Sequence, residues 1–383
     1  MLTPAELERI PIEVQKLILN LSTRIMEDVV ERIYEIDSIS RTTDYKIYIL
    51  NQLGLSSKTI RKAIKQTLDK TDVEIDKIYD EVIEEGYARE EELYKAAGKP
   101  FTHYEDNKQL QQLIDGVKRQ TKNEVANITQ TTAFKVSSGD FVSTSDYLKQ
   151  KLDDAAMDIT SGSFNYDETI KKTVNEMIRS GVRYVDYESG WRNKVDVATR
   201  RAVMTGVTQV TGKINEMNAE SLETEHFEIS WHATARPSHQ KWQGRVYKKE
   251  ELETVCGLGT GGGLCGWNCY HSYLPFFPGI SKRNYTDEEL DEMNAKENEK
   301  KLYKGKEYTA YEATQRQRKL ETIMRQQREG IRLLEIGHTN KEDITNAKAK
   351  YRLTMAQYVD FSKKMGLPQQ TQRIFYDNFR INV

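Results

Sequence analysis

Two stretches decide how this chain is read: Trp231–Tyr247, WHATARPSHQKWQGRVY, and Gly263–Gly279, GLCGWNCYHSYLPFFPG. The 49 residues from Trp231 to Gly279 that contain them hold all three cysteines, three of the six histidines, three of the four tryptophans and eight of the 22 glycines. On either side the sequence is charged and helical in pattern. The expected fold is therefore mainly α with a small α+β domain, in which long amphipathic helices flank a short-stranded, Cys/His/Gly-rich segment. The expected division is a helical region over 1–183, the motif domain over 184–285, and a helical hairpin or arm over 286–383.

Inside and next to the window, His226–Trp231 (HFEISW) alternates with period two and Arg245–Tyr247 does so more briefly, which predicts a small sheet. Pro237 and Ser238 open a turn or short helix that places His239 and Trp242 on one face. Glycines 259–263 read as a flexible loop tip, and His232 and Asn268 as side chains that satisfy buried backbone groups.

Outward from the window, Trp191–Met217 reads as a helix with a basic start and a small, apolar face, Val203–Thr208, suited to close packing. Tyr184–Tyr187 reads as a strand. At the N-terminus Thr3-Pro4-Ala5-Glu6 is a capping box with proline at the first helical position. It leads into Val14, Ile18, Leu21, Ile25, Val29, Ile33 and Ile36, one stripe at helical spacing. Ser38–Thr43 breaks that pattern. Leu50–Gln66 reads as two helices around a glycine turn, with Ser56 or Ser57 as cap. Amphipathic helices are expected over 72–98 and 106–135, separated by Ala97–Pro100, and two more over Ser143–Gly181, split at Ser161-Gly162-Ser163. From Tyr285 the pattern returns to charged helix. Tyr308–Leu334 and Asn340–Met365 form a hairpin through Gly337-His338-Thr339, ended by Gly366-Leu367-Pro368.

The whole chain has 383 residues with 57 Lys+Arg against 59 Asp+Glu, a net charge of −2. No global field holds nucleic acid or an anionic membrane, so any DNA contact must be local. The acidic Asp72–Leu93 stretch argues against a DNA-reading helix-turn-helix at Leu50–Gln66. The longest run free of Lys, Arg, Asp and Glu is Thr254–Ser281, whose glycines and prolines forbid a membrane helix. Glu6 and Glu8 stand where a secretory leader would need basic residues. Three cysteines, an odd count, fit free thiols and a reducing compartment better than a disulfide framework.

Three chemistries suit the window. Cys265, Cys269 and His271, with His232 or His239 as a fourth ligand, are of the types that tetrahedral zinc prefers, although the C-x3-C-x-H spacing demands a sharp turn. A zinc-binding interaction module is one reading. His232, His239 and His271 with the Arg236 fork would equip a metal-independent nuclease or another phosphate-handling enzyme, but no Asp or Glu between Glu228 and Glu250 orients the imidazoles. The third reading makes these side chains packing and hydrogen-bonding elements of a compact fold. Base rates favour this third reading, in which no cofactor is bound and zinc is the alternative.

The ordered motifs YESGWR and ATRRAVMTGVTQVTG (within Tyr187–Gly212), WHATARPSHQKWQG (Trp231–Gly244) and CGWNCYHSYLPFFPG (Cys265–Gly279) resemble the phage minor capsid protein 2 family. These are head proteins of tailed phages and prophages of Gram-positive bacteria, distantly similar to the Mu F-like head-morphogenesis proteins. The matching positions are His232, Ala235, Arg236, Pro237, His239, Gly244, Asn268, Cys269, His271, Pro275, Pro278 and Gly279; Trp231 and Trp242 lie among them. Tyr270 departs from the pattern, standing where the family more often has a basic residue, so the chain lacks a cation there. The resemblance implies a non-enzymatic minor component of the virion head. It would act in head assembly near the portal or inner capsid, in several copies, with portal and capsid proteins and possible contact to packaged DNA as partners. No membrane is implied, and assembly would take place in the host cytoplasm.

Overall fold

In the computed structural model, residues 2–36, 45–161, 166–185, 192–377, 379 and 381 are described. The expected break at Ser38–Thr43, most of the turn at 161–163, and the second half of the strand expected over Tyr184–Tyr187 lie outside them.

The chain opens with α1 (Pro4–Arg9), where the capping box forms: Thr3 Oγ1 accepts from the Glu6 amide at 3.3 Å and the Glu6 carboxylate accepts from the Thr3 amide at 2.7 Å. After Pro11, α2 (Ile12–Glu35) buries its stripe; Val14, Ile18, Val29 and Ile33 are each 0% exposed. A buried side chain of this size contributes on the order of 1.5–3 kcal/mol, so the stripe is what holds this helix in place.

One local expectation fails next. Leu50–Gln66 is not two helices around a glycine turn but part of one continuous helix, α3 (Tyr45–Glu81). Ser56 caps nothing; it is buried, and its hydroxyl donates to the Asp28 carboxylate on α2. Asp28 also pairs with Arg32 at 2.7 Å, and Arg32 donates to Gln52. A tertiary polar network thus carries the helix through Gly54, whose helical cost is only about 1 kcal/mol.

Past a π-helical turn over Val82–Tyr87 come α4 (Glu91–Ala96) and α5 (Lys108–Gln130). The helix expected to continue to residue 135 stops at Gln130, and β1 (Thr132–Lys135) pairs with β2 (Phe141–Ser143). Two helices follow, α6 (Thr144–Ser161) and α7 (Tyr166–Ser180), then β3 (Arg183–Val185) and β4 (Arg192–Lys194). These four strands form one antiparallel sheet in the order β2-β1-β3-β4. Helix α8 (Val195–Ser221) starts after β4, later than the expected Trp191.

The window itself contains β5 (His226–Ile229), α9 (Pro237–Gln240), β6 (Val246–Lys248), α10 (Lys249–Thr254) and β7 (Tyr273–Phe276), with the sheet order β6-β5-β7. Phe227 sits opposite Tyr247 on one side and Pro275 on the other. Downstream lie α11 (Asp287–Asn298), the unanticipated hairpin β8 (Lys301–Tyr303) and β9 (Lys306–Tyr308), α12 (Ala310–Ile336) and α13 (Lys341–Met365). The last helix is capped by Asn340 and closed by Gly366 in the left-handed conformation.

The helices and sheets gather into two compact units. One comprises Met1–Val14, Thr71–Glu124 and Arg200–Gln315; the other comprises Gln15–Lys70, Val125–Thr199 and Arg316–Val383. The first contains the three-stranded sheet of the window. Its core gathers Phe227, Ile229, Trp242, Leu252, Leu264 and Tyr273 together with Cys256 and Cys269. In the second unit α12 carries a buried polar seam: Glu329 accepts from Tyr376, and Arg328 pairs with Asp377. Among the described residues no helix is long and apolar enough to cross a membrane.

Candidate functional site

Three side chains of the window converge in the core of the first unit. His239 is presented by α9, which Pro237 starts at its first position and Arg236 precedes with extended backbone. Cys269 and His271 lie two apart on the irregular segment that leads into β7. Cys269 Sγ is 3.3 Å from His271 Nδ1 and 3.8 Å from His239 Nδ1, and the two Nδ1 atoms are 3.4 Å apart. All three residues are buried, at 2%, 2% and 1% exposure for His239, Cys269 and His271. Their donor atoms are the one His/Cys/Asp/Glu group among the described residues placed to share a metal ion.

This set corrects the sequence-based ligand set. Cys269, His271 and His239, one of the two side chains expected at the fourth position, converge, but the Cys265 thiol points to the His271 carbonyl oxygen at 3.6 Å and stands outside the group. The cause is local backbone. Cys265 and Asn268 both adopt positive φ, 56° and 53°. The resulting turn, with the Cys269 amide bonded to the Gly266 carbonyl at 3.1 Å, directs Cys265 away from the cluster.

The glycine loop is not a flexible tip. Leu258 bonds back to Leu252, Leu264 to Cys256 and Trp267 to Gly261, so the segment closes on itself. Gly263 lies against the Gly257 carbonyl with no room for a Cβ, and Gly257 and Gly259 have positive φ. The closed loop aims the Gly262 carbonyl at His239, whose Nε2–H donates to it at 2.9 Å.

His271 Nε2 meets the Gln243 side-chain amide at 2.9 Å. Gln243 is satisfied most fully with its nitrogen toward His271 Nε2 and the His232 carbonyl and its oxygen accepting from Trp231 Nε1 at 2.9 Å. His271 then carries its proton on Nδ1 and donates to Cys269. Trp242 closes the cluster from another side, with ring centroids 4.4 Å from His239 and 4.8 Å from His271. Burial away from water holds both imidazoles neutral: His239 is pushed down to about 4 and His271 further still. Burial likewise pushes the Cys256 thiol up to about 12 and raises those of Cys265 and Cys269.

The remaining motif residues are placed differently. His232 is half-buried, stacks on His271 with centroids 4.2 Å apart, and donates from Nδ1 to the Ala233 carbonyl. Arg236 reaches the Trp267 carbonyl at 2.5 Å, and its guanidinium is not in the cluster. Asn268 is exposed, so it serves the turn through its backbone conformation and satisfies no buried group. Gly244, at φ 72°, fits against Leu290, which leaves no space for a side chain. Pro275 is buried in β7, while Pro278 and Gly279 are exposed in the turn after it.

Sequence reasoning missed a basic cluster beside the motif. The cation absent at Tyr270 is supplied from α8: Arg200 donates to the Tyr270 hydroxyl at 2.5 Å, and Arg201 lies over the half-exposed Trp267 ring, 5.6 Å from its centroid. The basic start read at Arg200 and Arg201 was the available signal, but its target could not be read from spacing.

The chain matches the phage minor capsid protein 2 family over residues 2–362, nearly its whole length. It belongs to that family. Its place is accordingly the virion, where it associates with other capsid components. Neither the curated proteins nor the solved structures contain a match to this minor capsid protein.

Proposed function

We propose that this minor capsid protein acts in head assembly as a structural component at the portal or the inner face of the capsid, in several copies. The observation that supports this best is how the motif side chains are used. His239, Cys269, His271 and Trp242 are turned into the core, where they tie α9, the glycine loop and β7 together. A general acid or base must reach a substrate proton at hydrogen-bonding distance. His239 and His271 are committed to the Gly262 carbonyl and Gln243 instead, which favours the structural reading over a nuclease. Contact with packaged DNA fits Arg200, Arg201 and Arg236, grouped around Tyr270 and Trp267, since guanidinium groups beside aromatic rings suit phosphate and base faces.

Co-expression with the portal and major capsid proteins of the same phage tests this reading. The expected result is co-sedimentation of the chain with assembled heads or portal rings. A chain that stays monodisperse and leaves both partners unbound overturns it.

A further inference from the structure

We infer that His239 Nδ1, Cys269 Sγ and His271 Nδ1 form a zinc site that locks α9, the glycine loop and β7 into one unit. The geometry carries this. In tetrahedral coordination, with Zn–N of about 2.0–2.1 Å and Zn–S of about 2.3 Å, ligand atoms stand about 3.3–3.6 Å apart. The three separations here are 3.4, 3.3 and 3.8 Å. One point is therefore within bonding range of all three atoms with little movement of any side chain. The pair Cys269 and His271, whose spacing looked awkward in the sequence, reaches that point after the sharp turn made by Cys265 and Asn268 at positive φ. A thiolate with two imidazoles favours zinc over magnesium or calcium, which take oxygen ligands.

The surroundings are those of a metal site. Ligating imidazoles must be neutral and their outer nitrogens held by hydrogen bonds. His239 already donates from Nε2 to the Gly262 carbonyl, which leaves Nδ1 as a lone pair facing the cluster. His271 requires its proton on Nε2, donated to Gln243, so on binding the Gln243 amide turns over to present its oxygen and gives up its bond from Trp231 Nε1. On binding, two Zn–N bonds and one Zn–S bond form. The Cys269 S–H bond breaks and its proton passes to solvent, while the His271 proton shifts from Nδ1 to Nε2. The fourth position of the ion goes to water. Without metal the same three groups remain hydrogen-bonded to one another, so the site has a satisfied empty state.

The test uses tag-free full-length protein prepared without chelator, with elemental analysis before and after reconstitution with excess zinc. About one zinc per chain is expected, as for a single tetrahedral site. Replacement by cobalt(II) should produce a thiolate-to-cobalt charge-transfer band in the untouched chain, a readout that needs no variant to fold. Cys269→Ser should lose that band and the zinc, while Cys265→Ser and Cys256→Ser keep both. Substoichiometric zinc after reconstitution, stoichiometric iron or copper in its place, a cobalt complex without the thiolate band, or zinc retained unchanged in folded Cys269→Ser would each overturn the assignment.

Discussion

Gly206 lies directly against Tyr79: a Cβ on the glycine would fall well inside contact distance of the tyrosine hydroxyl and of Thr121 Oγ1. Those two hydroxyls bond to each other at 2.8 Å in the core of the first unit, where Tyr79 is 0% exposed. The close approach explains why α8 carries a small face there: α3 and α5 can meet it only where no side chain intervenes.

Gly206→Ala is therefore expected to destabilise the protein by about 1–3 kcal/mol despite alanine's better helix propensity, because the methyl overpacks a buried hydrogen bond. Gly206→Ala combined with Tyr79→Phe removes one of the two oxygens that the methyl meets, leaving Thr121 Oγ1 free to rotate aside. The double variant should be more stable than the two single costs added together predict. Urea midpoints at constant slope measure this, and strict additivity refutes the contact.

Arg328 and Asp377, each 3% exposed at the side chain and 2.6 Å apart, fasten the C-terminal segment to α12. Arg328 also donates to the Phe379 carbonyl at 2.6 Å and stacks on Phe375, 4.8 Å from its centroid. Removing one partner leaves a buried charge uncompensated, so Asp377→Ala should cost about 3–5 kcal/mol. Replacing both, with Arg328→Met and Asp377→Leu, should recover most of that loss. If the double variant is no better than the single one, the cost has another origin.

Glu329 predicts an opposite pH dependence from the usual carboxylate. Burial raises it from 4.5 to about 7, against the Tyr376 hydrogen bond and the nearby Lys194 and Arg325, with Asp196 raising it further. The folded state then binds this proton more tightly than the unfolded state does. The stabilisation is complete below about pH 4.5 and is lost as pH rises through 7, amounting to roughly 3 kcal/mol at most. Glu329→Gln keeps the shape and cannot ionise. Its stability relative to the native chain should rise between pH 5 and pH 8; a difference that is flat with pH refutes the assignment.

Several of these features are legible in the sequence, and the reasons for success and failure are physical. The α2 stripe, the α1 capping box and the small α8 face follow from periodicity and local chemistry, which are properties of neighbouring residues. Gly54 was misread because its turn signal is weak and Ser56 answers to Asp28, 28 residues away. Of the ligand types named for the window, Cys269, His271 and His239 converge; that Cys265 stands apart depends on left-handed backbone at Cys265 and Asn268, which spacing alone does not encode. The hairpin β8–β9 was missed because KLY and KEY are too short to show alternation.

Gly263 connects the loop to the buried thiols. A Cβ there would meet the carbonyl group of Gly257 and the Cys256 carbonyl, all backbone atoms that cannot rotate aside as a side chain would. Gly263→Ala must therefore open the closed loop, moving the Gly262 carbonyl off His239 and withdrawing the turn that carries Cys269. In the native protein Cys256 and Cys269 are each 2% exposed with thiols raised by burial, so they should react slowly with a thiol reagent. In Gly263→Ala, Cys269 should react many times faster. Gly262→Ala, where a Cβ meets nothing, should leave the rate near native and so controls for a general effect of alanine in the loop. Equal rates in the two variants would mean that the loop yields without disturbing the cluster. The tie between Gly262 and His239 would then not be what positions the imidazole.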